Sequence, residues 1–332
     1  MSLHVDGYDN FVEIGRGGLS TVYSATQLAL HRPVAVKVVD LDPDDATARR
    51  RFQRECAALG VLGESPGIVP VYSATFTADG RGCIVMRLMR ESLADTLRRE
   101  GPLDVERVID VGVTALTALD HAHRRGIVHR DVKPANLLVA EGGEIALGDF
   151  DISSVDSVRS STATLDSMSP PHAPPERWRG DAAAGPSGDI WSLGSTLYML
   201  LTGSQPFGTA SAQGGVAGLI DRVMNDPTPP VGRPDVAPAI ESVIGRALAK
   251  DPDDRWPDAA SMRGALLQAS GRTSAPSGHD TATPERSLER AASRVGPSSA
   301  DRSSRRREVI SAIAVVVAVV IALAVAVLIA FG

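Results

Sequence analysis

The stretch that decides the fold is a polar run at residues 129–136, His129-Arg130-Asp131-Val132-Lys133-Pro134-Ala135-Asn136. It places a carboxylate (Asp131), a cation (Lys133) and an amide (Asn136) in one short loop. Apolar residues flank the run, at Val128 and at 137–139, and predict that the loop is fixed between buried elements. Phosphoryl transfer needs this set of groups: an acceptor for a hydroxyl proton, a charge that stabilises the γ-phosphate, and a metal ligand.

The run resembles the catalytic loop of the bacterial eukaryotic-like (Hanks-type) serine/threonine protein kinases. Lys133, two residues after Asp131, is typical of the serine/threonine form. The resemblance covers residues 8–269 and implies an α+β, two-lobed protein kinase fold, with a β-rich N-lobe at 8–88 and a helical C-lobe at 89–269. It further implies transfer of the γ-phosphoryl group of ATP to Ser or Thr hydroxyls of protein substrates, with Asp131 and Lys133 as catalytic residues.

Composition limits the other classes of function. The chain has 332 residues, a net charge of −6 and a pI of about 5.7, which argues against nucleic acid as its main partner. Its 43% of hydrophobic residues can form a core of ordinary size. Two cysteines, Cys56 and Cys83, do not make a disulfide framework in a chain of this length, so a reducing cytosol is expected.

Hydrophobic patterns predict the elements that surround the loop. Short β-rich runs predict strands in the first 88 residues, and longer amphipathic or apolar runs predict helices. The strands are expected at 11–14, 22–26, 33–39 and 83–86, and the helices at 46–62, 105–119 and 190–201.

A glycine-rich turn lies between the first two predicted strands. Glycine there lets backbone amides approach phosphate oxygens closely, although a tight hairpin would explain the pattern taken alone. Rossmann-type binding is disfavoured because the turn leads into a strand and not into a helix. The kinase family usually has a third glycine where this chain has Ser20. The resemblance implies that ATP is bound by Ile14, Gly15, Arg16, Gly17, Gly18, Leu19, Ser20, Val22, Ala35, Lys37, Glu55, Met86, Met89 and Leu138.

Lys37 is a charge within an apolar strand. Lys37 could be an ordinary surface lysine. The resemblance implies instead that Lys37 binds the α- and β-phosphates of ATP. Glu55 shares a helical face with Phe52 and Cys56 and is expected to point inward. An uncompensated buried charge costs about 3–5 kcal/mol, so we expect Glu55 to pair with Lys37.

The metal ligands are expected at Asn136 and Asp149. Asp149 opens a run, Asp149-Phe150-Asp151, where the family has Asp-Phe-Gly. By resemblance, Asp149 and Asn136 bind Mg²⁺, with Mn²⁺ as an alternative. Asp151 replaces a glycine that permits unusual backbone angles, and aspartate tolerates positive φ better than most residues. We therefore expect altered metal affinity or switching more than loss of chemistry.

The segment between Asp149 and Glu176 is rich in serine and threonine. It could be merely flexible, but kinases with an arginine at the position of Arg130 commonly use it to hold a phosphorylated activation segment. Thr162 and Thr164 are the candidate autophosphorylation sites. The resemblance implies that Ser169 helps to position the protein substrate, next to an unusual Pro170-Pro171 pair.

Two structural contacts are also implied by the resemblance. Glu176, in Pro174-Pro175-Glu176 where the family has Ala-Pro-Glu, is expected to pair with Arg255. Asp189 is expected to accept hydrogen bonds from the backbone of the catalytic loop.

The C-terminal part predicts a membrane anchor. Residues 270–308 are rich in Ser, Pro and Arg and predict a disordered juxtamembrane linker. Residues 309–331 carry no charge and would span ~34 Å as a helix at ~1.5 Å per residue, enough for a bilayer core. A buried core helix is the alternative, but it would show a polar face. Arg305, Arg306 and Arg307 place the preceding chain on the cytoplasmic side.

We expect a single-pass protein of the bacterial cell membrane, with the lipid bilayer as a partner and the kinase domain in the cytoplasm. Only Gly332 follows the span, which suggests a tail-anchored arrangement, and the N-terminus predicts no signal peptide. The Ala-, Arg- and Gly-rich composition resembles that of kinases from high-GC, actinobacterial-type bacteria. A homodimer through the back of the N-lobe is left open.

Two other functions remain open at this point. The main alternative is a pseudokinase that binds nucleotide and acts as a membrane-anchored interaction module, which Ser20 and Asp151 motivate. An ATPase or small-molecule kinase on the same fold is a weaker third choice.

Overall fold

The computed structural model describes residues 3–17, 20–42, 45–63, 65–77, 79–150, 170–180, 185–212 and 214–272. The side chains of Glu55, Ala58 and Pro170 lie outside this description. The chain divides into two units, Met1–Pro276 and Ser277–Gly332, and every described residue belongs to the first.

The N-lobe is built on a five-stranded antiparallel sheet with the order β1-β2-β3-β5-β4. Its strands are β1 (Tyr8–Arg16), β2 (Ser20–Gln27), β3 (Arg32–Val39), β4 (Val71–Phe76) and β5 (Gly82–Arg87). The predicted strands at 11–14, 22–26, 33–39 and 83–86 are confirmed within β1, β2, β3 and β5. Strand β4 was not predicted, because four of its six residues are exposed and it carries no alternating apolar pattern.

The two faces of β3 serve different purposes. Successive side chains of a strand point to opposite faces, so Val34, Val36 and Val38 share one face and Ala35 and Lys37 the other. The three valines are buried in the core of the N-lobe together with Val5, Cys83 and Val85. Lys37 is thereby presented to the cleft between the lobes.

Helix α1 (Ala46–Leu62) covers the end of this sheet, as the sequence predicted. Asp45 caps it by accepting hydrogen bonds from the backbone amides of Thr47 and Ala48. Phe52 is buried against Phe76 of β4, with ring centroids 5.4 Å apart. A Cβ at position 82 would lie 2.7 Å from the Phe52 ring, so only glycine lets the helix pack this closely.

The C-lobe is helical around a buried central helix. Its described helices are α2 (Leu93–Glu100), α3 (Val105–His123), α4 (Pro175–Trp178), α5 (Pro186–Thr202), α6 (Gly215–Asn225), α7 (Pro238–Ala247) and α8 (Ala259–Ala269). Helix α5 is buried over most of its length, including its Trp191 side chain. This confirms the prediction of a buried helix at 190–201, and α3 confirms the one at 105–119.

A small three-stranded sheet frames the catalytic loop. It consists of β6 (Glu91–Ser92), β7 (Leu137–Val139) and β8 (Ile145–Leu147), paired antiparallel in that order. The 3-10 turn Pro134–Asn136 leads directly into β7. The apolar residues after the loop therefore anchor it in the core, as expected.

The predicted membrane span and nearly all of the predicted linker lie outside the described residues. Within the described ranges, no helix has both the length and the apolar character needed to cross a bilayer. Arg272, among the first residues of that predicted linker, pairs with Glu106 and Asp110 of α3 at 2.6 and 2.5 Å.

Candidate active site

The catalytic loop brings its three predicted functional groups together. Lys133 Nζ lies 2.7 Å from Asp131 Oδ2. The Asn136 amide nitrogen donates to the backbone oxygen of Asp131 at 2.8 Å and to its Oδ2 at 3.1 Å. The Asp131 carboxylate is therefore held from two sides.

A buried carboxylate of α5 holds the loop backbone. Asp189, which is fully buried, accepts hydrogen bonds from the amides of His129 at 2.8 Å and Arg130 at 2.7 Å, as predicted. His123 Nε2 lies 2.7 Å from the same carboxylate. Arg130 has a positive φ of 67°, which few non-glycine residues adopt. The two hydrogen bonds from the loop amides to Asp189 compensate for this backbone strain.

Lys37 pairs with Asp149 across the cleft. Desolvation raises the pKa of Asp149, but the attraction and hydrogen bond of Lys37, together with weaker attractions from His129 and Lys133, outweigh it, so this pKa lies below its ordinary value. The predicted Lys37–Glu55 pair stays a prediction, because the Glu55 side chain is outside the description. Asp149 also has a positive φ of 58°, and aspartate tolerates that conformation better than most residues.

Asn136 and Asp149 are tied to each other through Gly148. The Gly148 amide donates to the Asn136 backbone oxygen at 2.9 Å, and His129 Nε2 lies 2.9 Å from the Gly148 oxygen. The Asn136 side-chain nitrogen donates to Asp131, so the oxygen of the same amide is the atom that would bind a cation, with the Asp149 carboxylate as the second predicted ligand. Amide and carboxylate oxygens are what Mg²⁺ prefers, so the residues present fit a divalent cation.

The sheet arranges the predicted nucleotide contacts in rows. Gly15 pairs with Val22, Val22 with Lys37, and Ala35 with Met86. Such neighbouring residues face the same side of a sheet, so these side chains line one surface above the cleft. The Val22, Ala35 and Met86 side chains are apolar, and with Lys37 beside them they suit an aromatic base that carries a phosphate group near the lysine.

The glycine-rich turn is described in part. The Gly17 amide donates to the Ser20 oxygen at 2.8 Å, while Gly18 and Leu19 lie outside the described residues. Ile14 is 51% exposed, and Arg16 forms an ion pair with Glu13 at 2.6 Å. Met89, between β5 and β6, and Leu138, on β7, are half-buried.

The segment that follows residue 169 is anchored by a buried ion pair. Arg255 donates to both carboxylate oxygens of Glu176, at 2.8 and 2.7 Å, which confirms the predicted pair. Asp151, Thr162, Thr164 and Ser169 lie outside the described residues.

The sequence did not predict the positions of three polar residues that lie around the catalytic loop. His123 binds Asp189, Arg177 donates to the Arg130 backbone oxygen at 2.7 Å, and His172 is buried beside the catalytic loop. Each of these residues is close in sequence to one of the quoted motifs. A polar side chain near a motif was the one feature of the sequence that could have predicted its role.

Comparison with known proteins agrees with this site. Residues 8–264 match the protein kinase domain family. The chain is 39% identical over 259 residues to the serine/threonine-protein kinase PknK of Mycobacterium bovis, over 77% of this chain and 23% of PknK. It is 36% identical over 274 residues to PknB of Mycolicibacterium smegmatis, over 79% of this chain and 43% of PknB.

A solved structure shows the same architecture. The kinase domain of Mycobacterium tuberculosis PknI is 27% identical, with a TM-score of 0.59, over 80% of this chain and 96% of that domain. The chain spans less than half the length of the curated relatives PknK and PknB. Because the protein kinase domain family matches residues 8–264, the chain belongs to the protein kinase family.

Proposed function

We propose that this chain is an ATP-dependent serine/threonine protein kinase. The observation that carries the proposal is the joint placement of Asp131, Lys133 and Asn136, with Lys133 Nζ and Asn136 Nδ2 both on the Asp131 carboxylate. The serine/threonine kinases PknK and PknB, at 36–39% identity, support the same substrate class.

The chain's own residues account for the acceptor side of the reaction. Asp131 is placed to orient the Ser or Thr hydroxyl and accept its proton. Lys133 lies within ion-pair distance of Asp131 and can shift to the transferring phosphoryl group as negative charge moves there. Because Asp189 fixes the loop amides, these groups need little reorganisation.

Residues that line the cleft would bind the nucleotide. Val22, Ala35 and Met86 would bind the adenine, and Lys37 the α- and β-phosphates. Asn136 and Asp149 would hold Mg²⁺ or Mn²⁺, which would neutralise part of the negative charge of the phosphates. The Lys37–Asp149 ion pair, which brings the two side chains together, supports their action on one nucleotide.

The test is phosphate transfer by the full chain. Wild type and Asp131→Asn are incubated with radiolabelled ATP, Mg²⁺ or Mn²⁺, and a generic acceptor protein such as casein. We expect Asp131→Asn to lose about 10²–10⁴-fold in rate, the usual range for general acid–base catalysis, while it binds ATP as wild type does. Full activity of Asp131→Asn would refute the assignment. Nucleotide binding without transfer by wild type would identify a pseudokinase, and free phosphate without phosphoprotein an ATPase.

We further propose that the kinase phosphorylates itself at Thr162 and Thr164, where Arg130 could hold the new phosphate. The Arg130 Nε atom is buried without a hydrogen-bond partner among the described residues, which supports an anionic ligand for it. Phosphopeptide mapping after incubation with ATP tests this. Unmodified Thr162 and Thr164 in an active preparation would contradict it.

We also propose that residues 309–331 anchor the chain in the bacterial cell membrane, with the kinase domain cytoplasmic. The uncharged span and Arg305, Arg306 and Arg307 before it support this. Fractionation of cells that express the full chain or a chain ending at residue 308 tests it. Equal distribution of both chains between membrane and soluble fractions would contradict the anchor. A homodimer stays a prediction.

A further inference from the structure

His172 is a buried histidine beside the catalytic loop to which neither the resemblance nor the proposed mechanism gives a role. It ends the 3-10 turn Pro170–His172 and is 7% exposed. Its Nδ1 atom lies 2.9 Å from Ser195 Oγ of α5. We call residues 170–175 the platform segment, because they run from the predicted substrate-positioning Ser169 to helix α4.

Two serines of α5 hold this segment. Ser195 Oγ donates to the Pro171 oxygen at 3.4 Å, and Ser192 Oγ donates to the His172 oxygen at 2.8 Å. One helix therefore contacts the His172 Nδ1 atom, the Pro171 carbonyl and the His172 carbonyl. A shift of the segment would break these buried hydrogen bonds, so they favour one position of the segment.

The same helix holds the catalytic loop. The Thr196 hydroxyl donates to the Ser192 oxygen of its own helix at 2.8 Å and also lies 3.3 Å from the Val132 oxygen, and Asp189 binds the loop amides one turn before Ser192. Residues three, four and seven apart lie on one face of a helix, so Asp189, Ser192 and Thr196 share a face. Helix α5 therefore sets the position of the platform segment relative to the catalytic loop.

The charge state of His172 also matters to its neighbours. Burial, with the nearby charge of Lys133, lowers the pKa of His172 to about 4, so the imidazole is neutral at neutral pH. His172 and Asp131 line one small cavity. Because the imidazole is neutral, His172 can lie beside this cavity without competing with the positive charge of Lys133 for the Asp131 carboxylate.

We propose that His172 is a positioning residue for the protein acceptor: through its hydrogen bond to Ser195 it sets the distance between the platform segment and the Asp131–Lys133 pair. The inference rests on the proposed kinase function and deepens it. His172 lines a different cavity from Lys37 and Asp149, so its effect should fall on the acceptor and not on the nucleotide.

A matched pair of substitutions tests this. His172→Asn keeps a polar group near the place of Nδ1 and can bond Ser195, whereas His172→Leu has similar size without a polar atom. Initial rates are measured with the full chain, varying casein at saturating ATP and then ATP at saturating casein. We expect His172→Leu to lose about tenfold in kcat/KM for casein, since misplacement of about 1 Å can cost up to ~10²-fold. Its KM for ATP should change less than about twofold, and His172→Asn should stay within about threefold of wild type.

Ser195→Ala removes the partner atom while leaving the imidazole, so it gives an independent measurement if His172→Leu does not fold. It should show the same loss toward casein with unchanged ATP binding. Casein kinetics like wild type in a folded His172→Leu or in Ser195→Ala would overturn the inference, and so would a loss shared equally by casein and ATP. If wild type binds ATP but transfers no phosphate, the proposed function fails and this inference fails with it.

Discussion

Arg255 and Glu176 form a bidentate ion pair in the interior of the C-lobe, with N–O distances of 2.8 and 2.7 Å. The Arg255 side chain is fully buried and that of Glu176 is 8% exposed. Arg255 also donates to the backbone oxygens of Ala249 and Ser187, so all three nitrogens of the guanidinium form hydrogen bonds. The pair joins helix α4 to the turn before α8.

Loss of this pair should destabilise the C-lobe strongly. Arg255→Ala leaves the Glu176 carboxylate buried and uncompensated, which costs about 3–5 kcal/mol in the free energy of unfolding. Arg255→Lys should recover little, because an ammonium cannot bond both oxygens in parallel. Urea denaturation measures the change. The matched control is Arg124→Ala, an exposed arginine paired with Asp120, which should cost less than about 1 kcal/mol. Similar losses for the two alanine variants would contradict the interpretation.

Asp189→Asn should separate loop geometry from nucleotide binding. The substitution removes one acceptor and the charge that hold the amides of His129 and Arg130, and an unsatisfied buried amide costs about 1–3 kcal/mol. The rate of phosphate transfer should fall by up to about 10²-fold through displacement of Asp131. ATP affinity, measured by calorimetry, should be nearly unchanged. Asp110→Asn, which changes an exposed carboxylate paired with Arg272, is the control and should leave both quantities as they are.

Lys37→Met should raise the pKa of Asp149. In wild type the attraction and hydrogen bond of Lys37, with weaker attractions from His129 and Lys133, together outweigh desolvation, so the pKa of Asp149 is depressed. A depressed carboxyl pKa contributes stability that is present above the unfolded pKa and lost as pH falls through the folded value. Without Lys37 only weaker attractions oppose desolvation, and that contribution disappears. Carbon NMR of labelled aspartate measures the titration. Lys250→Met, at a half-buried lysine beside Phe207, is the control, and an unchanged Asp149 titration in Lys37→Met would contradict the assignment.

Gly194 should be far less replaceable than Gly264, although both lie in the middle of helices. A Cβ at Gly194 would lie 2.8 Å from the Ala247 Cβ, whereas one at Gly264 would meet no atom within 4 Å. Gly194→Ala should therefore lower the free energy of unfolding by about 1–3 kcal/mol through overpacking. Gly264→Ala should raise it by up to about 1 kcal/mol through helix propensity. Thermal denaturation of both variants distinguishes them, and equal midpoints would argue against tight packing of α5 on α7.

Cys83 should resist alkylation in the folded protein. It is fully buried in β5, and desolvation raises the pKa of its thiol to about 11. Iodoacetamide at pH 8 should label Cys83 only after the chain is unfolded in urea, as followed by peptide mass spectrometry. Rapid labelling of Cys83 in native protein would show that β5 opens readily. Cys83→Ser confirms the identity of the labelled peptide.

Local features of the chain could be predicted where one segment contains the whole signal. The catalytic loop and helix α1 at 46–62 were predicted because their patterns lie within one segment. Strand β4 was missed because its residues are mostly exposed and take their conformation from pairing with β5. His172 was missed because its burial depends on α5, whose Ser195 lies 23 residues further along the chain.

The sequence by itself determined which chemical groups this protein has: carboxylates, cations and an amide, in motifs that the protein kinase family shares. Only the tertiary structure decided which of them meet. Lys37 lies opposite Asp149, 112 residues away, and Arg255 opposite Glu176, 79 residues away. The physical reason is that charge and hydrogen-bonding capacity belong to single residues. Partners, burial and pKa depend on how distant segments pack, and in this chain helix α5 arranges them around the catalytic loop.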